Sequence, residues 1–320
     1  MPKAMIAMSG GVDSSVAAFL CVSAGYECAG ITMKLFDNED IGIGREKTCC
    51  SVEDVEDARS VAYKLGIPYY VFNFSSDFNT QVIDKFISAY ECGSTPNPCI
   101  DCNRYLKFNK LLSRRKELGY DFVATGHYAR IEFDGSRYLL KKAMDGAKDQ
   151  SYVLYMMKQE QLSHVLFPLG TYCKAETRKI AEENGFVTAR KRESQDICFV
   201  PDGDYAKFIE TRTGKHYPYG NFVDRSGNVL GEHKGIIRYT VGQRKGLSLS
   251  LPQPLYVCEE RPEDNTIVLG DNTQLLSKSF NTSDFNWIAC DVPPGESQDK
   301  LQTSGAVGNS NIFRSHFNTY

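Results

Sequence analysis

Ala4 to Met8 form a short continuous apolar run that ends in a Gly-rich turn, and Val16, Ala17, Phe19 and Leu20 then recur at helical spacing up to Gly25. A buried run followed by a 3.6-residue period reads as strand, loop, helix. The alternation continues. Cys28 to Met33 reads as a strand, Ser51 to Leu65 as a helix with Val52, Val55, Ala58, Val61 and Leu65 on one face, and Tyr69 to Phe74 as the next strand. Phe108 to Leu118 reads as a helix, and Phe122 to Thr125 as a buried strand before Gly126-His127. Strands apolar throughout, alternating with helices, predict an α/β fold with a doubly wound, mainly parallel sheet covered on both faces.

After Gly126 the pattern changes. Ile131-Glu132-Phe133 and Tyr138-Leu139-Leu140 flank Asp134-Gly135, a strong hairpin signal, and a helical stretch from Glu176 to Glu183 ends at Gly185. Beyond Asp204, Gly235 to Val241, Leu255 to Cys258 and Thr266 to Leu269 read as short strands punctuated by Gly and Pro, which predicts a small β-rich domain over residues 204–274. Glu296 to Tyr320 is polar and almost without periodicity.

Composition narrows the class. The 320 residues fit two or three domains, and at 42% hydrophobic and 24% charged they hold no apolar run long enough to cross a bilayer. Met1 to Met8 has no basic segment or cleavage site before the turn, so it reads as a core strand of a cytoplasmic protein. The formal charge of -3 gives no bulk attraction for nucleic acid; such binding must come from local patches such as Arg114-Arg115-Lys116, Lys141-Lys142, Arg190-Lys191-Arg192 and Arg244-Lys245. Eleven cysteines without framework spacing read as reduced thiols, some used for chemistry or metal.

Ser9-Gly10-Gly11-Val12-Asp13-Ser14-Ser15 sits where a parallel strand hands over to a helix, the place where open α/β sheets bind ligands. Glycines let backbone N–H groups approach an anion, the hydroxyls of Ser9, Ser14 and Ser15 add donors, and the helix start adds its dipole. Phosphate cradling follows, although neither a Walker A ending nor a dinucleotide fingerprint is present. Cys99-Ile100-Asp101-Cys102 has the C-x-x-C spacing of a redox pair, a metal edge or a nucleophile with a neighbour, and Arg104, Lys107 and a helix start are expected to lower the thiol pKa. Cys198 lies far off, between Ile197 and Phe199, a setting more typical of core.

The loop at Ser9 resembles the pyrophosphate loop (PP-loop) of the ATP pyrophosphatase superfamily. Taken with Asn97-Pro98-Cys99-Ile100-Asp101-Cys102-Asn103, Ala124-Thr125-Gly126-His127-Tyr128-Ala129-Arg130, Lys148-Asp149-Gln150-Ser151-Tyr152, Ser194 to Phe199 and Gly242-Gln243-Arg244-Lys245-Gly246, the chain resembles the tRNA-specific 2-thiouridylase family from residue 3 to about 295. The resemblance implies an adenine nucleotide alpha hydrolase-like catalytic domain over 1–203, the middle domain over 204–274, and a truncated or divergent C-terminal β-barrel over 275–320, because the sequence departs from the family after Pro293-Pro294-Gly295.

It further implies ATP-dependent 2-thiolation of a wobble uridine. Ala7, Met8, Ser9, Gly10, Gly11, Val12, Asp13, Ser14, Met33 and Gly126 match nucleotide-binding positions, with Asp13 near a Mg²⁺ that bridges the phosphates. Cys198 matches the persulfide carrier and Cys102 the nucleophile, while Asn97, Pro98, Cys99, His127, Lys148, Asp149 and Gln150 match positions that contact tRNA. The implied partners are tRNAs of the Glu, Gln and Lys type and an upstream sulfur-relay protein or cysteine desulfurase. One departure is Cys99, where part of the family has Asp; thiols at 99, 102 and 198 could instead hold a 4Fe-4S cluster. Zinc held by Cys49, Cys50, Cys99 and Cys102 is a weaker metal reading. Other readings of the same loop are an AMP-forming amidotransferase or synthetase, and a tRNA- or nucleotide-binding paralogue without catalysis.

Overall fold

The computed structural model describes residues 1–36, 52–191, 197–250, 253–275 and 286–290, with short strands at 302–303 and 313–314. Strand β1 (Lys3–Ala7) lies at the centre of a five-stranded parallel sheet. On one side it pairs with β2 (Glu27–Lys34), which pairs with β3 (Tyr69–Asn73). On the other it pairs with β4 (Phe122–Ala124), followed by β7 (Val165–Leu166), so that the order is β3-β2-β1-β4-β7.

Ala4, Met5 and Ile6 of β1 are fully buried because both faces are covered. The alternation of a strand sends successive side chains to opposite layers. Ala4, Ile6 and Met8 meet α1 (Val12–Ser23), α2 (Val52–Lys64) and α8 (Lys174–Glu183) through Val16, Ala17, Ala58, Val61 and Ala181. Met5 faces the other layer with Ile31, Phe78, Phe86, Leu106 and Leu111.

That second layer consists of two long helical runs. The first comprises α3 (Ser75–Phe78), a π-helical turn at Asn79–Ile83 and α4 (Asp84–Glu91), with Phe78, Val82, Phe86 and Tyr90 inward. The second comprises α5 (Pro98–Asp101), a π-helical stretch at Cys102–Lys110 and α6 (Leu111–Glu117). It therefore starts at Pro98 rather than at Phe108, where the apolar period alone placed it. Asn97 caps this start, its Oδ1 accepting from Cys99 N at 3.1 Å, and Pro98 occupies the first turn, where a missing N–H costs nothing.

The predicted hairpin is present as β5 (Ala129–Phe133) and β6 (Tyr138–Lys142), with Asp134 Oδ1 accepting from Ser136 N at 2.8 Å and Arg137 N at 2.9 Å. Between it and β7 lies the short helix α7 (Gln159–Leu162). Beyond the first 203 residues the chain opens with a helix, α9 (Tyr205–Thr213), capped by the Asp204 side chain. A four-stranded sheet follows, of β8 (Gly220–Val223), β9 (Val229–His233), β10 (Tyr256–Arg261) and β11 (Thr266–Gly270), in the order β10-β11-β8-β9.

The expected strand from Gly235 to Val241 is instead a 3₁₀ turn at Ile236–Arg238, because Gly235 has φ of 105° and breaks the extended course. Most of the expected barrel region lies outside the described residues; within it β12 (Gln302–Thr303) pairs antiparallel with β13 (Phe313–Arg314).

Two consequences can be measured. Gly10 has φ of 72°, and a Cβ there would meet the Asp54 carbonyl oxygen of α2 at 2.3 Å. Gly10→Ala should therefore cost about 2–4 kcal/mol, from a left-handed non-glycine residue plus overpacking. Urea unfolding would show a lower midpoint at an unchanged slope; a loss below about 0.5 kcal/mol would contradict the close approach.

His233 is fully buried and neutral: its Nδ1 accepts from Gly235 N at 3.2 Å, its Nε2 donates to Asn265 O at 3.0 Å, and burial pushes its pKa below 6.5. A depressed base binds its proton more readily when unfolded, so its contribution is complete above about pH 6.5 and lost as pH falls toward the folded value. His233→Gln should flatten the fall in melting temperature between about pH 6.5 and 5, and an unchanged slope would remove this role.

Candidate active site

Strands β1 and β4 are neighbours, but the chain leaves β1 for α1 on one layer and leaves β4 toward the hairpin, so a crevice opens beyond their carboxyl ends. A cavity of about 340 Å³ occupies it. From the β1 side it is lined by Ala7, Met8, Ser9, Asp13 and Ser14, from β2 by Met33, and from the β4 side by Gly126. Of the nucleotide set expected from sequence, Gly10, Gly11 and Val12 are off the lining and shape the turn. Gly10 presses against α2, Gly11 O accepts from Ser14 Oγ at 3.0 Å and Ser15 Oγ at 2.9 Å, and Val12 is core.

Ser15 is a correction. Its hydroxyl is fully buried, donates to Gly11 O and accepts from Thr188 Oγ1 at 2.9 Å, so it braces the helix instead of facing an anion. Gly126 is close because it must be: a Cβ there would lie 2.8 Å from Ser14 N and from the Asp13 carbonyl carbon.

Asp13 is engaged on both oxygens. Lys174 Nζ lies 2.7 Å from each, and the Tyr128 phenol donates to Oδ1 at 2.8 Å while sitting 3.0 Å from Thr177 Oγ1. Lys174 and Tyr128 escaped the sequence reading. Lys174 opens α8, two residues before the helix was expected to begin, and only the folded chain brings it across 161 positions to Asp13. Thr32 was missed too; its Oγ1 donates to Met8 O at 2.7 Å and holds the end of β1.

The cavity also carries sulfur. Cys99, Cys102 and Cys198 all line it, with Pro98, His127 and Gln150, although Cys198 stands 96 positions from Cys102 in the chain. Cys99 is exposed, whereas Cys102 and Cys198 are half-buried. The expectation of a lowered Cys102 pKa is overturned: burial pushes the thiol up to about 11, and Lys107, which also lines the cavity, pulls only partly back. Desolvation of a thiolate outweighs one nearby ammonium.

His127 is buried and its Nδ1 lies 2.7 Å from Thr125 Oγ1. Its pKa is held well below 6.5 by burial and by Lys107, so the ring is neutral. Asp149 and Lys148 are off the lining. Asp149 accepts from Ala143 N at 2.9 Å and Ser151 Oγ at 2.8 Å and so fixes the loop, while Gln150 Oε1 accepts from Tyr128 N at 3.0 Å. Asn97 serves as the helix cap described above.

Among the described residues no group of three or more His, Cys, Asp or Glu side chains comes together to hold a metal ion. Cys99, Cys102 and Cys198 share the cavity without forming such a set. Cys49 and Cys50 of the zinc reading lie outside the described residues.

Residues 2–202 match the family description "tRNA methyl transferase HUP domain", and residues 206–271 match "tRNA methyl transferase PRC-barrel domain". The chain is 49% identical over 316 residues to the tRNA-specific 2-thiouridylase MnmA of Clostridioides difficile, covering 98% of this chain and 87% of that protein. To the MnmA of Acetivibrio thermocellus it is 51% identical over 292 residues, covering 90% and 81%. A solved structure, the U34-tRNA thiolase NcsA from Methanococcus maripaludis with its 4Fe-4S cluster, aligns at 19% identity and a TM-score of 0.40, covering 67% of this chain and 65% of that one. With a parallel α/β domain, a β-rich domain behind it and relatives of this identity over nearly its whole length, the chain belongs to the tRNA-specific 2-thiouridylase family.

Proposed function

We propose that this chain catalyses ATP-dependent 2-thiolation of the wobble uridine of tRNA. The observation that carries the reading is that one cavity joins the Gly-Ser loop at Ser9 to the thiols of Cys102 and Cys198. Ala7, Met8, Met33 and Gly126 bound the adenosine, and Ser9, Gly10, Gly11, Val12, Asp13 and Ser14 form the phosphate turn. Asp13 would hold a Mg²⁺, which would neutralise phosphate charge. Uridine O2 attacks the α-phosphorus, pyrophosphate leaves, and C2 now carries AMP as a leaving group.

Sulfur reaches the site as a persulfide on Cys198, loaded by a sulfur-relay protein or cysteine desulfurase. The Cys102 thiol gives its proton to solvent, the thiolate attacks the Cys198 Sγ, a Cys102–Cys198 disulfide forms, and the terminal sulfur leaves as hydrosulfide with the electron pair of the broken S–S bond. Hydrosulfide adds to C2 and AMP departs with the original oxygen. A cluster at Cys99, Cys102 and Cys198 is the second reading, and the absence of a three-ligand set among the described residues favours the pair. Asn97, Pro98, Cys99, His127, Lys148, Asp149 and Gln150 form or brace the mouth toward a tRNA of the Glu, Gln or Lys type. Residues 1–203 form the catalytic domain and 204–274 the middle domain. No described helix is long and apolar enough to cross a membrane, and the reading places the work in the cytoplasm.

Complementation of a strain lacking the gene should restore 2-thiouridine in its tRNA, as read by mass spectrometry of digested nucleosides; no return would remove the function. With purified protein, Cys102→Ser and Cys198→Ser should each lower thiolation by about a thousandfold or more, as loss of a nucleophile does. Cys99→Ser separates the two readings. The persulfide pair expects activity within about fivefold of wild type, since Cys99 takes no part in the sulfur exchange, whereas a cluster expects the collapse seen at the other two cysteines.

A further inference from the structure

Lys107 is the one cationic side chain among the described residues that line the cavity, since His127 is held neutral. The cavity's acid, Asp13, is already bound by Lys174, which approaches from α8. Lys107 itself has no carboxylate or hydrogen-bond partner among the described residues, so no described group compensates its ammonium at the cavity wall. An unpaired cation in a partly desolvated space is costly unless an anion visits it.

Its position says which anion. Cys102 and Lys107 are five residues apart within the π-helical stretch Cys102–Lys110, whose i to i+5 hydrogen bonding returns the chain over itself at that interval. Lys107 acts electrostatically on both Cys102 and His127, which line the cavity with it. Hydrosulfide is a small anion that water would carry off before it met a carbon electrophile, so a site that generates it needs a charge to keep it.

Resting on the function proposed above, we propose that Lys107 holds the hydrosulfide anion, released as Cys102 and Cys198 form their disulfide, until that anion attacks C2 of the adenylated uridine. The bonds are those already written: one S–S bond breaks, one forms, and the hydrosulfide leaves with the electron pair and no further reductant. Lys107 contributes charge and position and exchanges no proton.

The test uses the full chain loaded with persulfide by sodium polysulfide and desalted. ATP, Mg²⁺ and a tRNA transcript with a wobble uridine are added, and 2-thiouridine is measured by mass spectrometry alongside escaped sulfide, captured with monobromobimane. Lys107→Gln should lower the ratio of 2-thiouridine to escaped sulfide by roughly tenfold or more, the worth of one charge-assisted contact. Millimolar added sulfide should restore its yield, and Lys107→Arg should stay within about threefold of wild type because the charge remains.

An equal ratio in wild type and Lys107→Gln overturns the proposal. So does a variant that keeps its persulfide and releases no sulfide, because Lys107 would then act before release. Lys107→Met carries the same comparison if the Gln variant does not fold. A second arm omits tRNA and asks whether sulfide stays with the protein through a desalting column. If wild type makes no 2-thiouridine, the functional reading fails, yet retention by wild type and not by Lys107→Gln still supports Lys107, and equal retention still overturns it.

Discussion

The burial of β1 on both faces is the constraint from which the site follows. A strand with Ala4, Met5 and Ile6 entirely out of water must have a helical layer on each side and a partner strand along each edge. Its partners, β2 and β4, continue the chain in opposite directions across the sheet, so the connections cannot close over the carboxyl end of β1. Met8 makes the last rung, donating to Ile31 O at 2.8 Å while Thr32 caps its carbonyl. The next residue, Ser9, is therefore delivered into the gap, and Gly10 turns the chain into α1 by lying against the α2 backbone where no Cβ fits. The turn at Ser9 is thus the end of a packing problem, and the same turn exposes Ser9 and Asp13.

The charges around the cavity are arranged so that little is left unpaired except where chemistry would use it. Asp13 is matched by Lys174, and His127 stays neutral through burial and its contact with Thr125. The Cys102 thiol is kept protonated by desolvation, which makes a reactive sulfur inert until the local charge changes. Lys107 is the exception among the described lining residues, and it stands one π-helical repeat from that thiol. A π-helical stretch is an uncommon way to wind a helix, and such turns recur at functional sites because they re-aim side chains without breaking the run.

Much of the fold was legible in the chain because its signals are local. The alternation from Ala4 to Leu65, the Asp134-Gly135 hairpin and the strands near 256 and 266 each depend on neighbours within a few residues, and the structure has them. The run from Ser75 to Glu91 has Phe78, Val82, Phe86 and Tyr90 at a four-residue interval, but it begins in Ser75-Ser76-Asp77 and so looks like a turn at its start. Gly235 misled in the opposite sense, since a β-branched stretch of Ile236 and Ile237 carries no trace of the positive φ before it. In the cavity, the motif residues were legible as motifs, whereas Lys174, Tyr128 and Thr32 were not, because their roles exist only between segments far apart in sequence. The pKa of Cys102 was misjudged for a related reason: sequence shows nearby cations and hides burial.

Cys198 shows why the bland and the functional reading of a residue need not compete. Flanked by Ile197 and Phe199 it looks like core, and Phe199 is core: its ring meets Phe86 and Phe208 at 5.2 Å and Phe78 at 5.7 Å. That aromatic cluster fastens the segment to the helical run of residues 75–91 and to α9 at once. Cys102 sits on the neighbouring run, whose Leu106, Phe108 and Leu111 belong to the same core. Two thiols from remote parts of the chain are thereby held against one packed body, and side chains in such a body occupy fixed positions. The sulfur relay proposed between them would need that fixity on the protein side, since exchange between a thiolate and a persulfide requires the three sulfurs to line up. The apolar neighbours that make Cys198 look structural are what give its sulfur a defined place.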